Sequence, residues 1–527
     1  MNSAPVKSTP TFKKYWLYIV LLLALLIRMP GWFTEDAKRR YLLFEPDEMQ
    51  HVDITLTRFE QLYPDTLQYD FGGIFNVRGY GITSAHVAYG WYLLSEQVPG
   101  IIGTIKLNRQ LSTIYSLLLI WVTFLIGRYL GLSQRTATFA SFLLATCDLN
   151  CTYAHYGIPA SGYILAVFLA ILGGIQLERG KWWGLINLAV GAAMSFAFKF
   201  DFIPFIIGGI FLLFLVLRKG TSTGARLHIK QPWWVIPVGI GLVAFAFGLL
   251  TGFSWPIDGI KASWRILRDV NENHIGQDNH WVDNPVVYFA ATLAGIGFPV
   301  FFLALIGLRK LKRSHFSLHP GLWLFLGIIF CELLVRWSID TPFVRRVMVF
   351  MPAICLGAAY AWEKLILPKE VTLGIMFYTL FFTLVGQSNH WFDSRAAARE
   401  WINSQFTAGE KVVTGPYVYI KGLKEFPSFK PDGDWDYAVI HETYYQRYGL
   451  SLTTPFGYPT CCEEVYHCQS QRECEKMQAM IKGTDPETEL IAHFSTRNWF
   501  PERWLYHQFF GTYETFVGDV LVFRRKG

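Results

Sequence analysis

The sequence predicts an α-helical polytopic membrane protein with a small α/β or α+β domain at its C-terminal end, and three observations carry that reading. Of 527 residues, 52% are hydrophobic and only 17% are charged, which is too apolar and too poor in charge for an ordinary soluble protein. Mostly apolar windows of about 20 residues, the length a spanning helix needs, recur along residues 15 to 387. Residues 388 to 527 contain no such window. The expected division is therefore a membrane domain over 1–387 and a soluble domain over 388–527.

The first apolar run follows Lys7, Lys13 and Lys14 and continues into "LLLALLIRMPGWF". No small-residue cleavage site follows, so it reads as a retained first span rather than a removed signal. Basic clusters thread the rest, because short cytoplasmic loops carry the excess of Lys and Arg. Arg218, Lys219, Arg226 and Lys230 mark one such loop, Arg309, Lys310, Lys312 and Arg313 a second, and Lys364 with Lys369 a third. Apolar runs alternate around them at 233–252, 286–308, 320–338, 345–363 and 370–387. The loops at 253–285 and 339–344, and everything after 387, then fall outside. Runs near 110–127, 136–153, 159–178, 182–198 and 202–217 put Arg128, Arg135, Arg179 and Lys181 inside, with the stretches around His155 and Lys199 outside.

The first span also ends outside, which makes residues 31–109 a long first external loop. Its apolar stretch, "SAHVAYGWYLLSEQVPGIIGTI", carries His86, Glu96, Gln97 and Pro99 and is expected to lie along or dip into the surface rather than cross. About eleven spans result, with the N-terminus cytoplasmic and the C-terminal domain extracytoplasmic. The segments have no fixed period, which argues against a repeat array.

The net charge of +7 does not point to nucleic acid, because the basic residues sit in short clusters between apolar runs, as cytoplasmic loops do. No P-loop, Rossmann fingerprint or G-x-S-x-G elbow is present. Chemistry concentrates instead in the external loops. "LLFEPDEMQHVD", at 42–53, gathers Glu45, Asp47, Glu48 and Asp53; Pro46 opens a helix readily, and acids in its first turn are favoured by the dipole. The same loop holds Arg58, Asp70, Arg78, several aromatics and Gly72, Gly73, Gly79 and Gly81. Arginine forks suit phosphate, while aromatic faces suit a sugar or a lipid chain.

Other external positions offer similar groups. They are His155, Lys199 with Asp201 in "FAFKFDF", His274 and His280 in "NENHIGQDNHW", and Asp340, Arg345 and Arg346 in "SIDTPFVRR". A charged residue at a span end commonly snorkels to the interface, which is the plain reading of Lys199. Arg345 and Arg346 sit at an external span end, against the positive-inside preference, and imply an anionic partner. The spacing at 274–283 matches no standard zinc pattern. In the tail, "SRAAAREWINSQF" reads as a helix and "KVVTGPYVYI", "DYAVIHETYY", "ELIAHFS" and "DVLVFRR" read as strands. Cys461, Cys462, Cys468 and Cys474 read as disulfide candidates on an external domain, the adjacent pair each joining Cys468 or Cys474. Cys147, Cys151, Cys331 and Cys355 read as apolar filler.

Several landmarks, in order, resemble the polyprenyl-phosphate-sugar-dependent glycosyltransferases of the C type fold, specifically family 39, which includes protein O-mannosyltransferases and aminoarabinose transferases. "FEPDEMQHV" resembles that family's acidic motif in the first external loop, and "LYPDTLQYDFGGI" the stretch after it. "AHYGIPAS" resembles its next external loop, "FAFKFDF" its Lys-Tyr turn, "PFVRRVMVFMPAICLGAAYAWEKL" its late helix, and "AAAREWINSQFTAGEKVV" the start of its external tail. One departure stands: relatives often carry an Asp in the second loop, where this chain reads Pro159-Ala160-Ser161.

The resemblance implies a membrane hexosyl- or pentosyltransferase working at the outer face, with a polyprenyl-phosphate-linked donor and an acceptor hydroxyl on protein, lipid or glycan. Asp47 would be the general base, Glu48 would order the loop or a divalent metal, and cations among Arg58, Arg78, Lys199, Arg345 and Arg346 would meet the departing phosphate. No other cofactor is implied. The rival expectation is a transporter or flippase of lipid-linked sugars, which needs polar groups near the bilayer midplane; Glu332 is the clearest isolated acid deep in a span.

Overall fold

The computed structural model describes, apart from isolated positions, residues 10–33, 101–199, 201–217, 222–223, 226–227, 232–250, 280–311, 320–337 and 344–406, and in the tail 410–415, 429–430, 433–442, 471–510 and 518–526. Asp47, Glu48, Arg58, Arg78, His274, Cys461, Cys462 and Cys468 lie outside these residues, as do the side chains of His280 and Cys474.

The apolar runs become helices: α1 (Pro10–Arg28), α2 (Ile101–Tyr129), α3 (Gln134–Ala145), α4 (Asp148–His155), α5 (Ala160–Glu178), α6 (Gly184–Lys199), α7 (Ile203–Leu217), α8 (Val235–Leu250), α9 (His280–Ile296), α10 (Phe298–Lys310), α11 (Gly321–Trp337), α12 (Met351–Leu365) and α13 (Lys369–Trp391). A 3-10 turn, Val344–Phe350, leads into α12, and a two-residue hairpin pairs β1 (Ser222–Thr223) with β2 (Arg226–Leu227). Among the described residues, five helices are long and apolar enough to span, a sixth results if one bent pair counts as a single span, and four more are apolar but shorter. Of the stretch expected to lie on the surface, residues 101–104 instead begin α2.

Two expected spans are broken. The run at 286–308 divides into α9 and α10, which meet at 115°. The hinge is Gly297, whose φ of +82° only glycine adopts without strain, and Pro299 stands at the start of α10 where it needs no partner for its missing N–H. The run at 136–153 divides at Thr146 and Cys147 into α3 and α4. The Thr146 hydroxyl donates to the Phe142 carbonyl at 2.9 Å, and the Thr146 carbonyl accepts from the Thr383 hydroxyl of α13, so the interrupted backbone finds a partner on a neighbouring helix.

Helix α5 is the centre of the bundle, with 94% of its span window buried. It lies against α6 through glycines. A Cβ at Gly173 would collide with backbone of α6, and one at Gly191 with backbone of α5. Small residues let membrane helices approach to backbone contact, where dispersion and packing supply the attraction that lipid does not.

After α13 comes α14 (Ser394–Gln405), then a four-stranded sheet of β3 (Val412–Thr414), β4 (Tyr437–His441), β5 (Thr488–Phe494) and β6 (Val520–Arg525) in the order β3-β4-β6-β5. The β3–β4 pair is parallel and the other two pairs are antiparallel. Alternation gives the sheet two apolar faces. Val412, Val439, Val520 and Val522 pack with Ala398 and Ile402 of α14, whereas Val413, Ile440, Leu521 and Phe523 pack with Met477 and Met480 of α15 (Gln471–Ile481). A last helix, α16 (Pro501–Phe510), packs against α9 of the bundle.

Candidate functional site

Tyr163, in the first turn of α5, is buried at 2% exposure. Its hydroxyl lies 2.5 Å from Asp201 Oδ2 and 2.7 Å from Glu332 Oε1. A phenol has one proton to give, so the two carboxylates share this donor. The Lys199 ammonium sits 4.9 Å from the centre of the Tyr163 ring, a cation–π contact worth on the order of 1 kcal/mol. Asp201 is fixed in turn: its Oδ1 accepts from the Ile203 amide at 2.9 Å, and its carbonyl accepts from Ser195 at 3.3 Å. Glu332 is therefore not an isolated acid. It is tied to α5 and, through the same hydroxyl, to the turn between α6 and α7.

The 3-10 turn carrying Arg345 and Arg346 packs against both α5 and α11, the helices that hold Tyr163 and Glu332. Both arginines are half-buried. Three of the cations singled out in the sequence, Lys199, Arg345 and Arg346, thus lie on elements that meet around α5. An apolar groove of about 330 Å³ opens at Phe350, four residues past Arg346, and continues along α12 to Tyr360 between α10 and α11, with Phe301, Phe325, Ile329 and Ile354 in its walls. Ten residues of helix make this stretch roughly 15 Å long.

His155 is elsewhere, and it is not solvent-exposed as an external loop would leave it. It is the last residue of α4, fully buried, and its ring stacks on that of His390 with centroids 5.6 Å apart. The Tyr156 hydroxyl lies 3.4 Å from His390 Nε2. At the other end of α4, Asp148 is buried in an ion pair with Arg503 of α16 and accepts from Gln387 Nε2 at 2.8 Å. Arg28 and Arg109 are also buried beside these elements. Arg28 donates to Ser116 and to the Ala24 and Ala145 carbonyls, and Arg109 to the Gly31 carbonyl. The 3-10 turn touches α4 as well as α5, so this polar group and the Tyr163 group share one wall. His280 is the first residue of α9, which packs against the same turn.

Sequence reading did not find Tyr163, His390, Gln387, Arg28, Arg109 or Arg503. A tyrosine inside an apolar run carries no pattern of its own. Arg28 did carry one, as a charge at the end of the first span, and His390 another, as a histidine just beyond the last. Among the described residues no group of three or more His, Cys, Asp or Glu side chains is arranged to hold a metal ion. Cys147, Cys151, Cys331 and Cys355 are free thiols.

No protein-family model matches the sequence, and no curated protein matches it. Solved structures do match. The archaeal oligosaccharyltransferase AglB from Archaeoglobus fulgidus, in complex with an inhibitory peptide and a dolichol-phosphate, aligns with a TM-score of 0.50 over 98% of this chain and 88% of that one, at 10% identity. ArnT from Cupriavidus metallidurans, bound to undecaprenyl phosphate, aligns with a TM-score of 0.49 over 84% of this chain and 95% of its own, at 12% identity. At such identities what is shared is the fold. The chain is an integral membrane protein with the fold of the archaeal oligosaccharyltransferase.

Proposed function

We propose that this protein is a membrane glycosyltransferase that moves a sugar from a polyprenyl-phosphate carrier to an acceptor hydroxyl at the outer face, with inversion at the anomeric carbon. The observation that carries the reading is that Lys199, Arg345 and Arg346 lie on elements packed against α5, with an apolar groove beginning four residues past Arg346. A phosphate on a long hydrocarbon needs that combination, a cationic end for the headgroup and a greasy channel for the chain. The shared fold supports it, since the archaeal oligosaccharyltransferase was solved with a dolichol-phosphate.

In this mechanism the acceptor oxygen attacks the anomeric carbon from the face opposite the phosphate. Its proton passes to the Asp47 carboxylate as the new C–O bond forms. The bond from the anomeric carbon to the phosphate oxygen breaks, and the pair of electrons leaves on the polyprenyl phosphate. Lys199, with Arg345 and Arg346, stabilises that growing negative charge, the point at which fixed cations lower a barrier most. Arg58 and Arg78 of the first loop are further cations for the phosphate, Glu48 supports the loop or a divalent metal, and His155, His274 and His280 are substrate-binding candidates. In this reading the tail lies outside and the N-terminus in the cytoplasm, with the domain boundary near residue 387.

Purified protein supplied with a polyprenyl-phosphate sugar and membrane extract should yield labelled product. Asp47→Asn should abolish transfer and leave expression and the melting profile unchanged; full activity in that variant removes Asp47 as the base. The buried Glu332 and the half-buried Asp201 that shares its donor favour one second reading, a transporter of lipid-linked sugars. Donor translocation across sealed vesicles without any transfer would establish that reading instead.

A further inference from the structure

Helix α16 is inside out. Its buried positions are Glu502, Arg503 and Tyr506, while Trp504 is 53% exposed and Leu505 38%, and Trp499 just before it is 68% exposed. On a helix facing water the order is the reverse. An exposed apolar face beside buried charges needs an apolar surrounding medium, and the position of the segment supplies one.

Residues 497 to 500 run down α13 from its C-terminal end. The Arg497 amide donates to Asn389 Oδ1 at 2.7 Å. Phe500 then meets Tyr378, Phe381 and Phe382, with ring centroids 5.3, 5.6 and 5.0 Å apart. Tyr378 lies nine residues inside the apolar run that ends at 387, roughly 13 Å along the helix axis and close to the middle of a bilayer about 30 Å thick. Phe377, at 71% exposure, presents that level of α13 to its surroundings.

Both charged side chains at this depth have partners in the bundle. Glu502 Oε1 accepts from the Phe298 amide at 2.8 Å and from the Tyr378 hydroxyl. It thereby caps α10 at the break, where Gly297 has no side chain to do so. Arg503 pairs with Asp148 and lies over the Phe382 ring at 4.9 Å. Irregular backbone and ionised groups persist at membrane depth only when protein satisfies them in this way.

We infer that residues 497–506 are a re-entrant segment by which the tail enters the outer leaflet, and that the partner of the Trp499, Trp504 and Leu505 face is lipid acyl chain. Tyr506 belongs to the apolar core of the bundle, so the segment is anchored on one side by protein and covered on the other by lipid. The assignment is independent of the transfer reaction.

The test uses the full chain reconstituted in liposomes containing a phospholipid with a diazirine in its acyl chain. After illumination, peptide mapping should find lipid adducts on Trp499, Trp504 or Leu505 at a level within about threefold of Phe377, and none on Leu490, which is 48% exposed on β5 of the sheet. Adducts confined to the spans overturn the inference. A spin label on Leu505→Cys provides a second reading, with the unsubstituted protein as background. Collision with oxygen should exceed collision with a water-soluble nickel chelate, and the ratio should reverse for Leu490→Cys. Equal nickel access at both sites shows a water-facing segment, and protection from both reagents shows a protein covering; either outcome overturns the proposal.

Discussion

Gly386 is the opening through which α13 admits the tail. A Cβ there would overlap both the Arg503 guanidinium and the Asp148 carboxylate, whereas a Cβ at Gly374 of the same helix would meet open space. Gly386→Ala should destabilise the protein by about 1–3 kcal/mol through overpacking of that buried pair. Gly374→Ala should be neutral or stabilising by up to about 1 kcal/mol. Thermal melts of the detergent-solubilised protein compare the two. A similar economy holds at Tyr163, where one hydroxyl serves two carboxylates. Tyr163→Phe removes a hydrogen bond from each of two carboxylates, the buried Glu332 and the part-buried Asp201, a cost of about 1–3 kcal/mol, and loosens the support of Lys199. Donor KM should rise about fivefold or more, while kcat changes less; an unchanged KM removes Tyr163 from the donor site. At this scale charge was legible in the sequence and geometry was not. Arg345 and Arg346 stood out because they broke the positive-inside preference, while Tyr163 and Gln387 took their importance from residues 38 to 239 positions away.

Helix α14 begins on Asp393, whose carboxylate accepts from the Arg395 amide at 2.9 Å and pairs with the same residue's guanidinium at 2.6 Å, both side chains being buried. Asp393→Ala removes the cap and the carboxylate paired with a buried cation, so the tail should lose on the order of 3–5 kcal/mol, read as a lowered denaturant midpoint. Asp393→Asn keeps a capping oxygen and should lose less. At the other end of the tail, His507 of α16 pairs with Glu442 beside β4. Burial disfavours the charged ring, but the hydrogen bond to Glu442, its charge and that of Asp519 outweigh burial and raise the pKa above 6.5. A raised histidine stabilises fully below its unfolded value and loses that contribution as pH climbs through its folded value. The melting temperature of wild type should therefore fall as pH rises upward from 6.5, and His507→Gln should flatten that part of the profile. Elements were the most legible level of the molecule. Each of the four strand-like runs in the tail holds a strand and "SRAAAREWINSQF" is α14, because period-2 and helical patterns are local. The break at Gly297 was missed although "GIGFP" spells it: a hydropathy window sums over glycine and proline without registering a change of direction.

For the whole molecule the bilayer is the organising solvent, and this explains what composition revealed and what it concealed. Long apolar runs are legible because a helix that crosses lipid needs about 20 mostly apolar residues in succession. The segment at 497–506 reads as part of a soluble tail because it is short and carries Glu502 and Arg503, whose partners lie on α10, α13 and α4. Sidedness is open to direct measurement. In sealed right-side-out vesicles a membrane-impermeant amine reagent should modify Lys411 of the tail and spare Lys310 at the end of α10, two lysines that are both exposed in the fold. Modification of Lys310 alone inverts the threading.

The capping of Phe298 by a residue 204 positions later has a consequence for synthesis. Spans enter the membrane as the ribosome delivers them, at about 5–20 residues per second. The bent pair α9 and α10 therefore waits roughly 10 to 40 s before Glu502 exists. Throughout that interval the open amide at the hinge must be met by water or by the insertion machinery, and the growing chain is exposed to quality control until the tail is made.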